Sequence, residues 1–284
     1  MEAYVIDTRI AKNVVRRIRP AHGLVPLNLK DLWEYRELLY FLVWRDITVR
    51  YKQSTLGMAW AFIQPLLTMI VFTVLFGWLV KVPSDGMPYP VFAYAALLPW
   101  QLFSSAVTLS SNSLAANQHL ISKVSFPRII IPVSAVAVSL LDFVVGSVAL
   151  VGMLALYKVA LTVAVFVLPV LALVALTAAL GLGLWVSALS VRFRDVRHAL
   201  PFLIQVGMFA TPVVYSASLV AESWRMLYAL NPMVGVVEGF RWALLGSGTA
   251  SGTMLCLSVV LAAALLISGL SFFRQAERTF ADMI

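Results

Sequence analysis

The sequence predicts an all-α membrane protein. It has six transmembrane helices, an amphipathic N-terminal helix in the interface, and short amphipathic helices in the outer loop between spans 5 and 6. Three observations carry that prediction. The 284-residue chain is 61% hydrophobic and 12% charged, whereas a soluble domain is about 45–50% apolar and about 25% charged. Six apolar stretches, at 57–80, 91–111, 130–156, 161–190, 200–220 and 253–273, match the roughly 20 residues that cross about 30 Å of hydrocarbon. The basic residues are sorted: with the N-terminus inside, seventeen Lys and Arg fall in the inner segments 1–56, 112–129, 191–199 and 274–284. Four, Lys81, Lys158, Arg225 and Arg241, fall outside. Positive charge near span ends favours the cytoplasmic side, so both termini are expected there. The net charge of +8 then faces anionic headgroups and needs no nucleic acid.

Residues 1–28 form a basic tail broken at Pro20 and Pro26. It carries Arg9, Lys12, Arg16, Arg17 and Arg19 but no apolar run of the signal-peptide kind, so span 1 is expected to direct insertion. Residues 29–52 read as a helix. At about 100° per residue, Glu34, Glu37, Arg45, Thr48 and Lys52 share a polar stripe. Leu32, Trp33, Leu39, Leu42, Val43 and Ile47 cover much of the rest, while Phe41 intrudes on the stripe and Arg36 and Arg50 lie opposite it. The pattern suits a helix in the inner interface with Trp33, Tyr35, Tyr40 and Trp44 at headgroup depth. A cytosolic helix packed on a partner would read the same way.

Span 1 carries Pro65, which removes a backbone hydrogen bond and bends a helix. In a membrane the bend survives where neighbours satisfy the freed carbonyl. The outer loop 81–90 is short and holds Pro83, Pro88 and Pro90. The inner loop 112–129 is polar, through Asn112, Asn117, Gln118, His119, Ser122 and Lys123, and long enough for a short helix parallel to the membrane. Tyr157-Lys158 makes a tight outer turn, and 191–197 is a compact inner loop. Span 5 is interrupted by Pro201 and Pro212. The outer connection 221–252 is rich in apolar and aromatic residues, among them Trp224, Tyr228, Phe240 and Trp242. It reads as one or two short amphipathic helices lying at or dipping into the outer interface. Asn231-Pro232 breaks them, and Gly246 and Gly248 end the second. Glu238 and Arg241, at i and i+3, are close enough on one helix face to pair.

Four strings, in order on this frame, resemble a known family. They are Tyr51-Lys52-Gln53-Ser54-Thr55-Leu56-Gly57-Met58-Ala59-Trp60 with Pro65 following; Leu120-Ile121-Ser122-Lys123-Val124-Ser125-Phe126-Pro127-Arg128 through Pro132; Phe193-Arg194-Asp195-Val196; and Asn231-Pro232 followed by Glu238-Gly239-Phe240-Arg241. Residues 29–284 are similar to the permeases of type-2 ABC exporters, in the branch that exports O-antigen, capsule or teichoic acid. The resemblance implies a permease half that forms a homodimer around a central path and pairs with two copies of a separate ABC ATPase. Its cargo would be a lipid-linked polysaccharide, its place the bacterial cytoplasmic (inner) membrane, its other partners membrane lipids. It implies a coupling helix in which Asn117, Gln118, Leu120, Ile121 and Lys123 meet the ATPase. Arg192, Arg194 and Asp195 would contact the same partner or anchor a helix end at the headgroups. It implies an outer gate at Asn231, Pro232, Glu238 and Arg241. Independently, the chain lacks a G-x-x-x-x-G-K-[S/T] phosphate loop, and Gly181-x-Gly183 reads as a packing site. No enzyme activity and no bound cofactor are therefore expected of this chain; ATP and magnesium belong to the partner.

Sugar rings present C–H faces that stack on aromatic rings, which makes Trp60, Phe62, Phe72 and Tyr94 candidates for a polysaccharide path. Aromatic residues also gather at membrane interfaces, and Trp78 and Trp100 read as such belt residues. Asp142 is the one acid well inside a span, where an ionised carboxylate costs about 2.5–3.5 kcal/mol on insertion scales. It either meets the path or the dimer partner, or bonds a Ser or backbone group of a neighbouring span. Alternative functions are weaker. A type-2 exporter of drugs or lipids would share the frame. An ion-coupled transporter keeps several ionisable groups near the midplane, and here only Asp142 qualifies. A membrane enzyme needs clustered acid–base or metal-binding groups, but His22, His119 and His198 are far apart. The single cysteine, Cys256, rules out an intrachain disulfide. Small residues such as Gly146, Gly152, Ala178 and Gly183 can let spans approach closely.

Overall fold

Apolar length sets the frame. The computed structural model of the chain describes residues 33–52, 57–124, 126–193, 195–246 and 251–283; the basic tail and Arg194 lie outside them. Among the described residues all regular structure is helical. Helix α1 is Arg36–Lys52. Helix α2, Ala59–Phe72, continues as a π-helical stretch over Thr73–Leu79. Helix α3 is Tyr89–Ala116, α4 the short Gln118–Lys123, and α5 Ile130–Leu156. A 3-10 turn at Val163–Val167 leads into α6, Leu168–Arg192. Helices α7 (Asp195–Phe209), α8 (Glu222–Tyr228), α9 (Pro232–Leu245) and α10 (Gly252–Met283) complete the chain. Five of these are long and apolar enough to cross a membrane: α2 with its extension, α3, α5, α6 with its 3-10 turn, and α10.

The fifth predicted span, 200–220, differs. Helix α7 has 15 residues, about 22 Å at 1.5 Å per residue, short of the roughly 30 Å of hydrocarbon. Thr211-Pro212 ends it, because a residue before proline is pushed out of the α region. Residues 210–216 then run as turns and bends into a 3-10 turn at Ala217–Leu219.

Helix α3 is the hub and packs against α2, α5, α6, α7 and α9. Every residue from Val91 to Trp100 is buried, so this stretch of the helix is apolar all round rather than striped. The other spans keep bare apolar flanks, such as Val144, Val148 and Val151 on α5 and Val259, Val260 and Ile267 on α10. The closest packing is between α6 and α10. A Cβ on Gly269 would lie 2.3 Å from the Gly181 carbonyl oxygen, and one on Gly181 would lie 2.5 Å from the Leu265 carbonyl carbon. Only glycine lets the two backbones touch. Trp185 of α6 stacks on Phe272 of α10 with ring centroids 4.1 Å apart, and its indole nitrogen donates to Ser268 Oγ at 3.2 Å.

At the end of the bundle that carries α4, a second apolar cluster gathers Leu42, Leu114, Ile121, Ile130, Leu184 and Phe273. It draws α1, α3, α4, α5, α6 and α10 to one point. Arg128 fastens α10 to the start of α5: its backbone N–H donates to Glu277 Oε1 at 3.3 Å and its Nη1 to the Glu277 carbonyl at 2.8 Å. Helix α1 runs against α5, burying Leu42 and leaving Tyr40, Phe41 and Trp44 exposed, as is Trp33 just before it. Cys256 is exposed on α10.

Candidate functional site

Polar side chains come together at three places. The first is the junction of α3 and α4. Asn117 closes α3, its Nδ2 donating to the Ser113 carbonyl at 2.9 Å. Its Oδ1 accepts from Arg45 Nη2 of α1 at 2.7 Å, and the same Nη2 holds Asp46 Oδ1 at 2.7 Å. Asn117 and Ile121 are buried, and Leu120 is half-buried. Of the residues predicted to meet an ATPase, these three therefore fix α4 to the bundle. Gln118 and Lys123 are exposed, and so are His119 and Ser122, so the free face of α4 is broader than the predicted set. Asp195 is exposed in the first turn of α7. Arg192 lies over the Phe193 ring, 5.3 Å from its centroid.

The second place is Asp142 on α5. Its Oδ2 pairs with Arg50 Nη1 at 2.9 Å, and its Oδ1 accepts a hydrogen bond from the Tyr51 hydroxyl. Both partners come from the last turn of α1, not from a Ser or backbone of a neighbouring span. Burial, and then the Asp142 carboxylate, push the Tyr51 hydroxyl up to about 12, so it remains a donor near neutral pH. Arg50 lies off the polar stripe of α1, and that anomaly is the one legible sign of a distant partner.

The third place lies at the opposite end, around α9. The sequence expectation of a helix at or dipping into the interface resolves here as a helix packed into the bundle. Helix α9 contacts α3, α6 and α10, and every residue from Met233 to Arg241 is buried. Asn231 caps its N-terminus, Oδ1 accepting from the Met233 N–H at 3.0 Å, and Pro232 takes the first position, where its missing N–H costs nothing. Asn231 Nδ2 also donates to Thr211 Oγ1 at 2.8 Å, tying α9 to the break after α7. Gly246, at φ 65°, ends the helix in the left-handed region.

Arg241 is the centre of this network. Its Nη1 bonds Glu238 Oε1 and the Tyr215 carbonyl, both at 3.0 Å, and its Nη2 donates to the Val213 carbonyl at 2.8 Å. The guanidinium carbon sits 3.6 Å from the centroid of the Phe92 ring. Tyr89 donates to the Val214 carbonyl between them at 2.8 Å, and Ser216 Oγ to Asp85 Oδ2 at 2.7 Å. Three consecutive carbonyls that the interrupted helix frees are thus met by side chains. Backbone without helix hydrogen bonds is tolerated at membrane depth only when protein satisfies it in this way. The i, i+3 spacing had signalled the Glu238–Arg241 pair. Nothing in the sequence pointed to Tyr89, Asp85 or the carbonyls.

The predicted path aromatics divide. Trp60 and Phe62 are exposed on α2. Phe72 and Tyr94 are buried: Phe72 packs edge-on against Phe76 at 5.7 Å, and the Tyr94 hydroxyl donates to the Gly146 carbonyl at 3.0 Å. Tyr94 thereby joins α3 to α5, and both rings lie in the buried core.

Asn231→Ala removes the cap and the Thr211 link. A lost cap costs about 1 kcal/mol, and a lowered melting temperature of the detergent-purified protein, with α9 still folded, is the expected reading.

Comparison with known proteins follows the same lines. The ABC-2 type transporter family profile matches residues 37–245, more than half of the chain. The chain is 32% identical over 259 residues to the O-antigen export system permease protein RfbA of Myxococcus xanthus, covering 90% of this chain and 98% of that protein. It is 28% identical to the RfbA permease protein of Klebsiella pneumoniae, over 87% of this chain and 95% of the other. It is 24% identical to the polysialic acid transport protein KpsM of Escherichia coli, over 82% and 91%.

Proposed function

The chain belongs to the ABC-2 type transporter family, and on that premise we propose that it is the permease subunit of an ATP-driven exporter of a lipid-linked, O-antigen-like polysaccharide. The observation that carries the reading is likeness along nearly the whole length of an O-antigen export permease, 98% of that protein. Polymer chemistry supports it. A sliding sugar chain needs aromatic faces rather than a fixed pocket of polar groups, and Trp60 and Phe62 offer such faces on α2.

In this reading the α4 end faces the cytoplasm, as the skew of Lys and Arg implies, and both termini lie there. The exposed face of α4, with Gln118, His119, Ser122 and Lys123, docks on a separate ATPase that holds ATP and magnesium. Asp195 lies at the same end. A second copy covers the bare apolar faces of α2 and α7, where Ile70, Val74, Phe202 and Val206 are exposed, and the cargo passes between the copies. Helix α9 with its Glu238–Arg241 pair closes the far end.

The test is removal of the chain from its host. Finished polymer then accumulates inside and vanishes from the surface, as read by antibody or hydrazide labelling of intact against lysed cells, and restoring the chain returns it. Undiminished surface polymer in the deletion strain rejects the reading. Charge reversal at Lys123, with Gln118→Glu, is expected to weaken co-purification of the ATPase, whereas an unchanged yield would move the docking face elsewhere.

A further inference from the structure

Between α4 and α5 the described residues, Val124 and 126–129, are non-helical and include Pro127. Asn117 alone joins α4 to α3, so of the two chain connections of α4 the one toward α5 is the less direct. Helix α1 spans the same gap along a second route. Arg45 holds Asn117 immediately before α4, and Leu42 packs in the cluster that contains Ile121 and Ile130. One to two turns further along α1, Arg50 and Tyr51 hold the two oxygens of Asp142. Asp142 is twelve residues beyond Ile130, about 18 Å along α5 at 1.5 Å per residue. A stiff helix is therefore attached through its middle to the junction of α3 and α4 and through its last turn to the middle of α5.

We propose that α1 is a brace, and that Asp142 is the positioning residue that seats it, so that movement of α4 reaches the membrane half of α5. The inference rests on the docking of an ATPase at α4 and adds the route by which force leaves it. Arg50 and Asp142 side chains remain 41% and 20% exposed.

The experiment uses the complex of the full chain with its ATPase, purified from the native host, and surface polymer in cells. Asp142→Asn and Arg50→Gln are expected to co-purify the ATPase at the normal ratio and with the normal yield. They export about tenfold less polymer for the ATP hydrolysed, the scale of a typical coupling free energy. The exchange of charges, Arg50→Asp with Asp142→Arg, is expected to recover most of the loss, while Tyr51→Phe gives a smaller one. Spin labels at Val124, directly after α4, and at Leu140 of α5, both exposed, on a Cys256→Ser background supply a direct reading. Their separation holds constant between nucleotide-free and ATP-bound wild type, and changes with nucleotide in Asp142→Asn. Normal export by Asp142→Asn overturns the brace. So does a loss that follows complex yield in proportion and is not recovered by the exchange. Docking is judged separately, by co-purification in the Lys123 charge reversal. An ATPase that still binds that variant sinks the docking reading without touching the Asp142 result.

Discussion

Arg241→Ala is expected to abolish export and to destabilise the protein more than any other single polar substitution. Arg241 is 1% exposed and Glu238 0%, so the variant leaves a carboxylate buried beside the Val213 and Tyr215 carbonyls that the guanidinium had satisfied. Removing one member of a buried ion pair costs about 3–5 kcal/mol, and each abandoned carbonyl adds about 1–3 kcal/mol. Arg241→Lys keeps the charge but not the planar fork that reaches Glu238 and two carbonyls at once, so it is expected to fall between. Glu238→Gln, which leaves a hydrogen-bonding amide opposite the guanidinium, is the milder change. Thermal unfolding of the detergent-purified chain ranks the three. A wild-type melting temperature for Arg241→Ala would show that the network around residues 213–215 is held by something else.

Gly181→Leu is expected to separate α6 from α10. A Cβ at residue 181 already meets the Leu265 carbonyl carbon at 2.5 Å and the Leu266 nitrogen at 2.6 Å, and backbone cannot swing aside as a side chain can. Overpacking a close interior costs about 1–3 kcal/mol even where side chains yield; here the two helices must move apart and forfeit the Trp185–Phe272 stack. Gly152→Leu is the control, since nothing lies within 4 Å of a Cβ there. The measurement is resistance of the membrane-embedded chain to limited proteolysis at the α4 end, with Gly181→Leu cleaved faster and Gly152→Leu unchanged. Equal protection of both variants would mean that α6 and α10 are not packed through these glycines.

Much of this was legible in the sequence. Hydropathy placed the long helices because length in a bilayer is a one-dimensional property. Asn231-Pro232, Gly246 and the Glu238–Arg241 spacing marked α9 because caps and i, i+3 pairs are local. What could not be read was depth and partnership. Residues 91–100 of α3 are apolar on every side, so no periodicity told that Tyr94 turns toward Gly146 rather than toward a path. Pro212 announced an interruption in the fifth apolar stretch, yet only the fold shows Arg241 and Tyr89 taking over its carbonyls. Asp142 looked isolated because its partners are 91 and 92 residues away along the chain, on a helix whose pattern suggested a life in the headgroups.

The lone thiol at Cys256 carries a practical consequence. It is exposed near the start of α10, and the chain holds no second sulfur of its kind, so a membrane-permeant maleimide dye applied in detergent attaches at one position without any substitution. Each copy in an assembly then brings a single fluorophore, and counting photobleaching steps in individual nanodiscs reads subunit number directly from the native sequence.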